Sequence, residues 1–404
     1  MNGECILSQA LNFGNEITDA RRYLHMHPGT GFDIGESVEF VRCQLEKMGY
    51  EPMRCGRAGI VALAGGKRPG RTFLLRADMD ALPISEEADV DFRSENGRMH
   101  ACGHDMHTAM LLGAARILKE HEDEICGTVK LMFQPAEEIF QGAGDMLDAG
   151  VLENPKVDAA MMIHVMAGMP MAPGTVIVSA PGVSAPAADY FEITVQGVGC
   201  HGSMPNMGVD PLNAAAHILI ALQEINAREL GLADKAVVTI GTMHSGNAAN
   251  AIPDKAVMGG SIRTYDEDVR AIIKRRLTEI STGVASAFRA RAEVTFGSGC
   301  PTLKNDPALS KAIGGYMKEL LGNERALNAA DMAGDGASKS AGSEDFAYVS
   351  QRVPSVMLAL AAGQPEKGHS YPQHHPKVTF DEAAQPAGSA VYAYAAMRWL
   401  EENK

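Results

Sequence analysis

The sequence predicts an α/β fold: a larger domain with a central mixed sheet flanked by helices, and a smaller inserted α+β domain. Apolar runs typical of buried strands alternate with amphipathic helical stretches, and a connector rich in Pro, Ala, Gly and Ser interrupts them after residue 178. The chain of 404 residues is too long for one simple core. We therefore expect residues 1–184 and 298–404 to form the larger domain and residues 185–297 to form the inserted one.

The larger domain begins with helices, because apolar residues recur at helical spacing up to residue 48, where Gly49 follows as a stop signal. Residues 24–29 resemble a turn. His25 and His27 in it could bind a metal as a pair, but we favour their interpretation as capping or locally hydrogen-bonded side chains. A helix is predicted at residues 108–121. Buried strands are predicted at residues 59–64, 72–77, 128–133 and 159–164.

The inserted domain shows a different order of elements. Residues 190–197 alternate like a half-buried strand, and the pattern then predicts a helix, two strands, a helix and a strand. These elements cover residues 211–229, 236–243, 255–263, 266–289 and 292–296. A βαββαβ order of this kind predicts a ferredoxin-like α+β sandwich.

Composition excludes several classes of partner. The formal net charge of −14 argues against binding to nucleic acid or to an anionic membrane surface. No apolar run is long enough to span a membrane, and the first residues lack the pattern of a signal peptide. Seven scattered cysteines suit free thiols in a reducing compartment. We therefore expect a cytoplasmic protein.

The most distinctive stretch of the sequence is MHACGHDMHT, residues 99–108, with three histidines, one cysteine and one aspartate. A thiolate, an imidazole and a carboxylate this close together are what a borderline-soft divalent metal selects. Cys102 and His104 are the central pair. The alternative is a solvated turn that happens to carry histidines. Further acidic and histidine side chains at the ends of predicted strands argue against it.

Acidic and histidine side chains recur where predicted strands end. Asp78 and Asp80 follow one strand, Glu137 and Glu138 follow another, and His164 ends a third. The carboxyl ends of strands in an α/β sheet are where functional groups gather. Because neighbouring side chains point in different directions, one glutamate of the pair can bind metal while the other acts as a general base.

These segments resemble the amidohydrolase family that includes hippurate hydrolases, auxin-conjugate hydrolases and N-acyl-diaminopimelate deacetylases. This family is a branch of the dinuclear aminoacylase and carboxypeptidase-type metallopeptidases. The matching motifs occur in family order and span nearly the whole chain. They are RADMDALPI (76–84), MHACGHDMHT (99–108), FQPAEE (133–138), GCHGSMP (199–205), NAIP (250–253), GSEDF (342–346) and HHP (374–376).

The resemblance implies a pair of divalent cations, Zn²⁺, Mn²⁺, Co²⁺ or Ni²⁺, held by Cys102, His104, Glu138, His164 and His374. Cys102 is the candidate bridging ligand. His374 is preferred to its neighbour His375 because the ligand of the family lies two residues before the proline.

The resemblance also assigns roles around the metals. It implies that Glu137 is the general base, that Asp80 orients a metal ligand, and that His201 stabilises the oxyanion. Asn250 and Arg263 are the candidates for gripping a substrate carboxylate. It further implies that the inserted domain is a lid or dimerisation domain and that the protein is a homodimer.

The sequence departs from the family at two places. Asn206 stands where relatives commonly carry a histidine. Asp105 lies where distant relatives have a bridging aspartate, and we expect Cys102 to replace it, which leaves Asp105 and His107 in supporting or structural positions.

Three functions fit these residues. The first is an N-acyl-amino-acid amidohydrolase that releases a free amino acid from an acetyl or aroyl conjugate. The second is a dipeptidase or carboxypeptidase of the same fold, since its substrates also carry a carboxylate. The third is a non-catalytic binding relative, which the intact Glu137–Glu138 pair argues against because a binder needs no base.

Overall fold

The structure, a computed structural model, describes residues 2–332 and 342–404. It divides into two compact units. The larger unit comprises residues 2–184, 304–332 and 344–404, and the smaller unit comprises residues 185–303 with residues 342 and 343. No helix among the residues described here is both long and apolar enough to cross a membrane.

The strands of the described chain are numbered in sequence order. They are β1 (Met53–Cys55), β2 (Gly59–Gly65), β3 (Thr72–Asp78), β4 (Thr128–Gln134), β5 (Ala159–Met166), β6 (Val176–Val178), β7 (Gly182–Ala185), β8 (Ala187–Gln196), β9 (Cys200–His201), β10 (Ala236–Ser245), β11 (Ala251–Ile252), β12 (Lys255–Thr264), β13 (Arg291–Cys300), β14 (Leu303–Asn305), β15 (Ala326–Asn328) and β16 (Ser355–Ala361).

The α-helices are numbered in the same way. They are α1 (Gly3–Asn12), α2 (Gly14–Met26), α3 (Gly35–Lys47), α4 (His104–Glu120), α5 (Gly142–Asp148), α6 (Pro211–Ala221), α7 (Glu267–Ala287), α8 (Pro307–Leu321), α9 (Ala329–Met332), α10 (Ala347–Ser350) and α11 (Gln385–Glu402).

Two of these helices begin or end differently from the sequence expectation. Helix α4 begins at His104, inside the motif at residues 99–108, and not at residue 108. Helix α2 continues through Met26, so His25 is helical and buried and not part of a turn. His27 does bond locally, since its Nδ1 lies 2.7 Å from the carbonyl oxygen of Tyr23.

The larger unit is built on an eight-stranded mixed sheet in the order β1-β2-β4-β3-β5-β16-β6-β15. The four neighbours β4, β3, β5 and β16 run parallel, whereas β2 and β6 pair antiparallel with their inner neighbours. All seven residues of β3 are buried, as expected for a strand inside such a sheet. The predicted mixed sheet flanked by helices is therefore confirmed.

Helix α11 is fixed to the centre of this sheet by one side chain. The hydroxyl of Tyr392 donates to the carbonyl oxygen of Arg76 at 2.7 Å and accepts from the backbone N–H of Ile163 at 3.0 Å. Since Arg76 lies in β3 and Ile163 in β5, the helix contacts two of the three strands whose ends lead to predicted site residues.

The smaller unit has a four-stranded antiparallel sheet in the order β10-β12-β8-β13, with helices α6 and α7 between its strands. Asp210 and Asp266 cap the two helices, because each carboxylate accepts two backbone N–H groups of the first turn. The chain returns to the larger unit at residue 304 and not at 298. Residues 299 and 300 still pair with β8, so β13 carries the chain further than the sequence pattern indicated.

Lys130 is a buried cation that we expect to be important for the stability of the larger unit. Its Nζ donates to the carbonyl oxygens of Val151, Glu153 and Pro155 at 2.9, 2.7 and 2.8 Å. Burial lowers the pKa of Lys130 to about 8, so the side chain is still charged at pH 7. Lys130→Met leaves these acceptors without a donor and should lower the free energy of unfolding by about 3 kcal/mol.

Chemical denaturation at pH 7 measures this effect, because the single tryptophan, Trp399, is buried in the same unit and reports its unfolding. The control is Lys67→Met, which removes an exposed ion pair with Asp123 and should cost less than about 1 kcal/mol. Equal losses for the two variants would contradict the assigned role of Lys130.

Candidate metal centre

The predicted metal ligands of the larger unit lie at one edge of its sheet. Strand β3 ends at Asp78, β4 ends at Gln134 just before the glutamate pair, and β5 carries His164 near its end. Because these strands are parallel neighbours, their carboxyl ends meet. This arrangement brings together residues that are far apart in the sequence.

All five residues that the sequence selected as ligands are close together. The ligand atoms of Cys102, His104 and His164 lie within 4.8 Å of one another, and so do those of Cys102, Glu138 and His374. Cys102 belongs to both groups, so its sulfur lies between the two sets of ligand atoms.

Two of the histidines present the same ring nitrogen to this cluster. The Nδ1 of His104 donates to the carbonyl oxygen of Asp80 at 2.8 Å, and the Nδ1 of His164 donates to that of Val165 at 2.7 Å. The opposite nitrogen, Nε2, is therefore available as a ligand in each ring. In His104 this nitrogen is buried and has no hydrogen-bond partner within residues 2–332 and 342–404.

His107 is different, because both of its ring nitrogens are occupied. Its Nδ1 donates to Asp78 at 2.6 Å, and its Nε2 accepts from the backbone N–H of Val165 at 2.8 Å. Burial lowers the pKa of His107 to about 4, which is consistent with a neutral ring. His107 therefore supports the strand ends and offers no lone pair to a metal.

The thiol of Cys102 is poised to ionise. Although burial opposes ionisation, nearby His164 and His104 hold the pKa of Cys102 well below its usual value. Burial also acts against a charged His164, yet Cys102 raises the pKa of that ring to about 9. The thiolate is the form of cysteine that binds metals.

The two glutamates differ in their surroundings. Burial, followed by the charge of Cys102, raises the pKa of Glu138 to about 8, and its Oε1 has no hydrogen-bond partner in the described part of the chain. Burial raises the pKa of Glu137 well above its ordinary value, and the carboxylate of Glu344 adds to this effect. A bound cation acts in the opposite direction and favours both carboxylates.

Asp80 fixes the backbone that carries this pair. Its Oδ1 accepts from the N–H of Glu137 at 2.9 Å, and its Oδ2 accepts from the N–H of Glu138 at 3.2 Å. Its backbone oxygen, not its carboxylate, holds the ring of His104, since Oδ1 lies 3.7 Å from Nδ1 of that histidine. Asp80 is thus placed to orient residues of both segments.

The structure brings His374 into the cluster and leaves its neighbour outside. The Nε2 of His374 lies 3.7 Å from Oε1 of Glu138, whereas the ring of His375 stacks on Tyr371 at 4.4 Å. The backbone of His374 is left-handed, with φ of 66°, a conformation that side chains other than glycine rarely adopt. Such a conformation is often found at functional sites.

The sequence reasoning missed one part of the site, a buried arginine with three acidic partners. Arg76 is fully buried and contacts Asp78 at 2.6 Å, Glu344 at 2.8 Å and Asp345 at 3.1 Å. The oxygens of Glu344 and Asp345 lie within 4.8 Å of those of Glu137. An arginine inside an apolar strand was the available signal, because a buried charge needs partners.

His201, Asn250 and Arg263 belong to the smaller unit and are described within it. His201 is exposed, and its Nδ1 accepts from the N–H of Ser203 at 3.1 Å, which leaves Nε2–H as a donor. The short strands β9 and β11 pair His201 with Ala251, so the glycine-rich loops carrying His201 and Asn250 are neighbours.

Arg263 is partly buried in the same unit. Its Nη2 lies 3.1 Å from the hydroxyl of Tyr190, and its guanidinium lies 5.3 Å from the centre of that ring. Its Nη1 has no hydrogen-bond partner in the portion of the protein that the structure covers.

The cluster in the larger unit fits divalent metal ions. Thiolate, imidazole and carboxylate donors converge, and two buried ligand atoms, Nε2 of His104 and Oε1 of Glu138, have no other partner in the described chain. A mixed α/β fold with such a cluster, and with a buried carboxylate beside it, defines a metal-dependent hydrolase.

Comparison with known proteins gives the family. The chain belongs to peptidase family M20/M25/M40, whose sequence model matches residues 74–398. It is 34% identical over 391 residues to an N-acetyl-L-cysteine deacetylase of Bacillus subtilis, covering 96% of this chain and 89% of the relative. It is 35% identical over 391 residues to an IAA-amino acid hydrolase of Arabidopsis thaliana, covering 95% of this chain and 85% of the relative.

Solved structures agree with this membership. A dinuclear metal binding peptidase of the M20 family from Bacillus subtilis matches with a TM-score of 0.77 at 32% identity, covering 96% of this chain and 99% of that one. The family resemblance predicted from the sequence motifs is therefore confirmed, and the enzyme is a metallo-amidohydrolase that uses divalent metals.

Proposed function

We propose that this enzyme hydrolyses the amide bond of N-acyl amino acids and releases a free amino acid and a carboxylic acid. The observation that carries the proposal is the pair Glu137 and Glu138. One carboxylate joins the ligand cluster, and the other is buried beside it and within 3.9 Å of His104. The names of the deacetylase and the IAA-amino acid hydrolase among its relatives support an acylated amino acid as substrate.

The proposed reaction assigns a role to each residue around the scissile bond. When bound, two cations held by Cys102, His104, Glu138, His164 and His374 polarise the amide carbonyl and lower the pKa of the attacking water. Zn²⁺, Mn²⁺, Co²⁺ and Ni²⁺ all suit this ligand set.

Glu137 takes a proton from the water and later gives it to the leaving amine. Asp80 keeps Glu137 in place through the backbone bond described above. His201 donates from Nε2 to the oxyanion that develops on the carbonyl, and Asn250 and Arg263 grip the carboxylate of the substrate.

A second candidate is a carboxypeptidase or dipeptidase with the same residues. It is favoured by a relative of this kind, a thermostable carboxypeptidase of Saccharolobus solfataricus, 35% identical over 390 residues. Substrates of both candidates carry a carboxylate, so the proposed carboxylate-binding residues Asn250 and Arg263 do not distinguish the two functions.

A substrate panel distinguishes the candidates. Purified protein loaded with Mn²⁺, Zn²⁺ or Co²⁺ is assayed with N-acetyl amino acids, N-benzoyl amino acids and dipeptides, and each assay is repeated with a chelator. We expect higher kcat/KM for the N-acyl amino acids and loss of turnover on chelation. Faster turnover of dipeptides would replace the proposal with the second candidate, and turnover of none would contradict both.

We further propose that the smaller unit, with its βαββαβ order, is a ferredoxin-like lid and dimerisation domain of a cytoplasmic homodimer. The free state of all seven cysteines supports a reducing compartment. Light scattering on the purified protein tests the dimer, since a chain of 42.9 kDa should then give twice that mass. A particle of 42.9 kDa would contradict it.

A further inference from the structure

A buried group of charged residues connects helix α2 to the start of helix α4, and the proposed function gives it no role. Arg21 and His25 lie one helical turn apart in α2 and are 2% and 3% exposed. Both contact the same oxygen, Oδ2 of Asp105, at 2.8 Å. The other ring nitrogen of His25 lies 3.0 Å from Glu86. We call Arg21, His25, Glu86 and Asp105 the Asp105 cluster.

The Asp105 cluster acts on a helix start that has no cap of its own. Helix α4 begins at His104, and its N-cap residue Gly103 has a left-handed φ of 89° and no side chain to accept from the first turn. No other residue fits there, because a Cβ on Gly103 would lie 2.4 Å from Cγ2 of Val165. The first turn of α4 is therefore held by side-chain contacts: His104 and His107 bond to residues 78–80, and Oδ2 of Asp105 bonds to Arg21 and His25.

His25 contributes to these contacts as a charged ring. Both of its nitrogens face carboxylates, so both must donate. Burial opposes the charge, but the hydrogen bonds to Asp105 and Glu86 raise the pKa of His25 above its usual value. A neutral side chain of similar size can satisfy only one of the two carboxylates.

The same cluster reaches the segment that carries the last ligand. The Nη1 of Arg21 lies 2.9 Å from Glu382, eight residues after His374 in the chain. The backbone N–H of Glu87, next to Glu86, donates to the carbonyl oxygen of Pro376 at 2.8 Å. The cluster is thus adjacent in the chain to the ligand segment at residues 102–104, and through Glu87 it is linked to the segment at residues 374–376.

From this geometry we propose that Arg21 and His25 are positioning residues: through Asp105 they fix the first turn of α4 and with it the metal ligands Cys102 and His104. The inference rests on the proposed function, because it takes the five-residue cluster as the metal site. It predicts that metal affinity, and not only the stability of the fold, depends on helix α2.

The test measures the dissociation constant for Zn²⁺, by competition with a chelator, in the full-length protein without substrate. His25→Gln and Asp105→Asn should each weaken Zn²⁺ binding by about 10-fold, the lower end of the loss typical for a direct partner of a metal ligand, because both act on the ligands only through the backbone. Arg21→Lys keeps the charge but loses the fork that contacts Asp105 and Glu382 together, so it should weaken binding as well.

The matched control is Tyr50→Phe. The hydroxyl of Tyr50 donates to the carbonyl oxygen of Ala115 at 2.7 Å, so this variant also removes a buried bond to α4, but away from its first turn. Tyr50→Phe should lower the stability of the fold, but its Zn²⁺ affinity should equal that of the wild type. If His25→Gln and Asp105→Asn do not fold, the Zn²⁺ affinity of Arg21→Lys, the mildest change, tests the proposal.

Wild-type Zn²⁺ affinity in the folded cluster variants, with a loss of stability like that of Tyr50→Phe, would overturn the proposal. Because Zn²⁺ binding is measured without substrate, a protein that binds Zn²⁺ tightly but hydrolyses nothing in the panel contradicts the proposed function alone. The two failures can therefore be told apart.

Discussion

Replacing Glu137 by glutamine should reduce kcat by about 10²–10⁴-fold, the range that general-base assistance supplies. The amide keeps the size of the side chain but cannot take a proton from water. Because the backbone of Glu137 is held by Asp80, and its side chain is not one of the five proposed ligands, the variant should keep its fold and its metal. Steady-state kinetics measure kcat, and elemental analysis of the same preparation measures the metal content.

The control for this variant is Glu39→Gln in helix α3. The side chain of Glu39 is 61% exposed and pairs only with residues of its own helix, so its loss should leave kcat unchanged. A kcat of Glu137→Gln within tenfold of the wild-type value would contradict the role of Glu137 as general base. Loss of metal from this variant would instead make Glu137 a ligand.

Cys102→Ala should have the second large effect, the loss of bound metal. The sulfur of Cys102 belongs to both groups of ligand atoms in the cluster, so its removal weakens both proposed metal positions at once. Elemental analysis of the purified variant should find little of the metal that the wild type retains, and turnover should fall with it.

Cys55→Ala is the matched control, because Cys55 is also a free, buried cysteine of the larger unit, and among the described residues its sulfur has a single hydrogen-bond partner, the carbonyl oxygen of Met146. We expect this variant to keep the metal content of the wild type. Equal metal in Cys102→Ala and in the wild type would refute the ligand role of Cys102.

Much of the fold was predictable from local patterns. Strands β2, β3, β4 and β5 coincide with apolar runs, because a strand buried on both faces needs apolar residues at nearly every position. The limits of elements were less predictable. Helix α4 begins at His104 after Gly103, which has no side chain to cap the helix, so no local capping signal marks that start.

The candidate site divides in the same way. Cys102, His104, Glu138, His164 and His374 were found from residue chemistry and family motifs, and the structure places all five in one cluster. The partners of Arg76 were not found, because Glu344 and Asp345 lie 268 and 269 positions away and reach it only through the folded chain.

By itself the sequence predicted the chemistry: five candidate metal ligands, a glutamate pair of which the family resemblance takes Glu137 as the base, and the family to which the chain belongs. These properties depend on residue types and their local spacing. Only the tertiary structure decided which nitrogen each histidine presents and that Asp80 holds the glutamate pair by its backbone. Those features depend on the order of parallel strands, since that order alone sets which distant residues meet at the edge of the sheet.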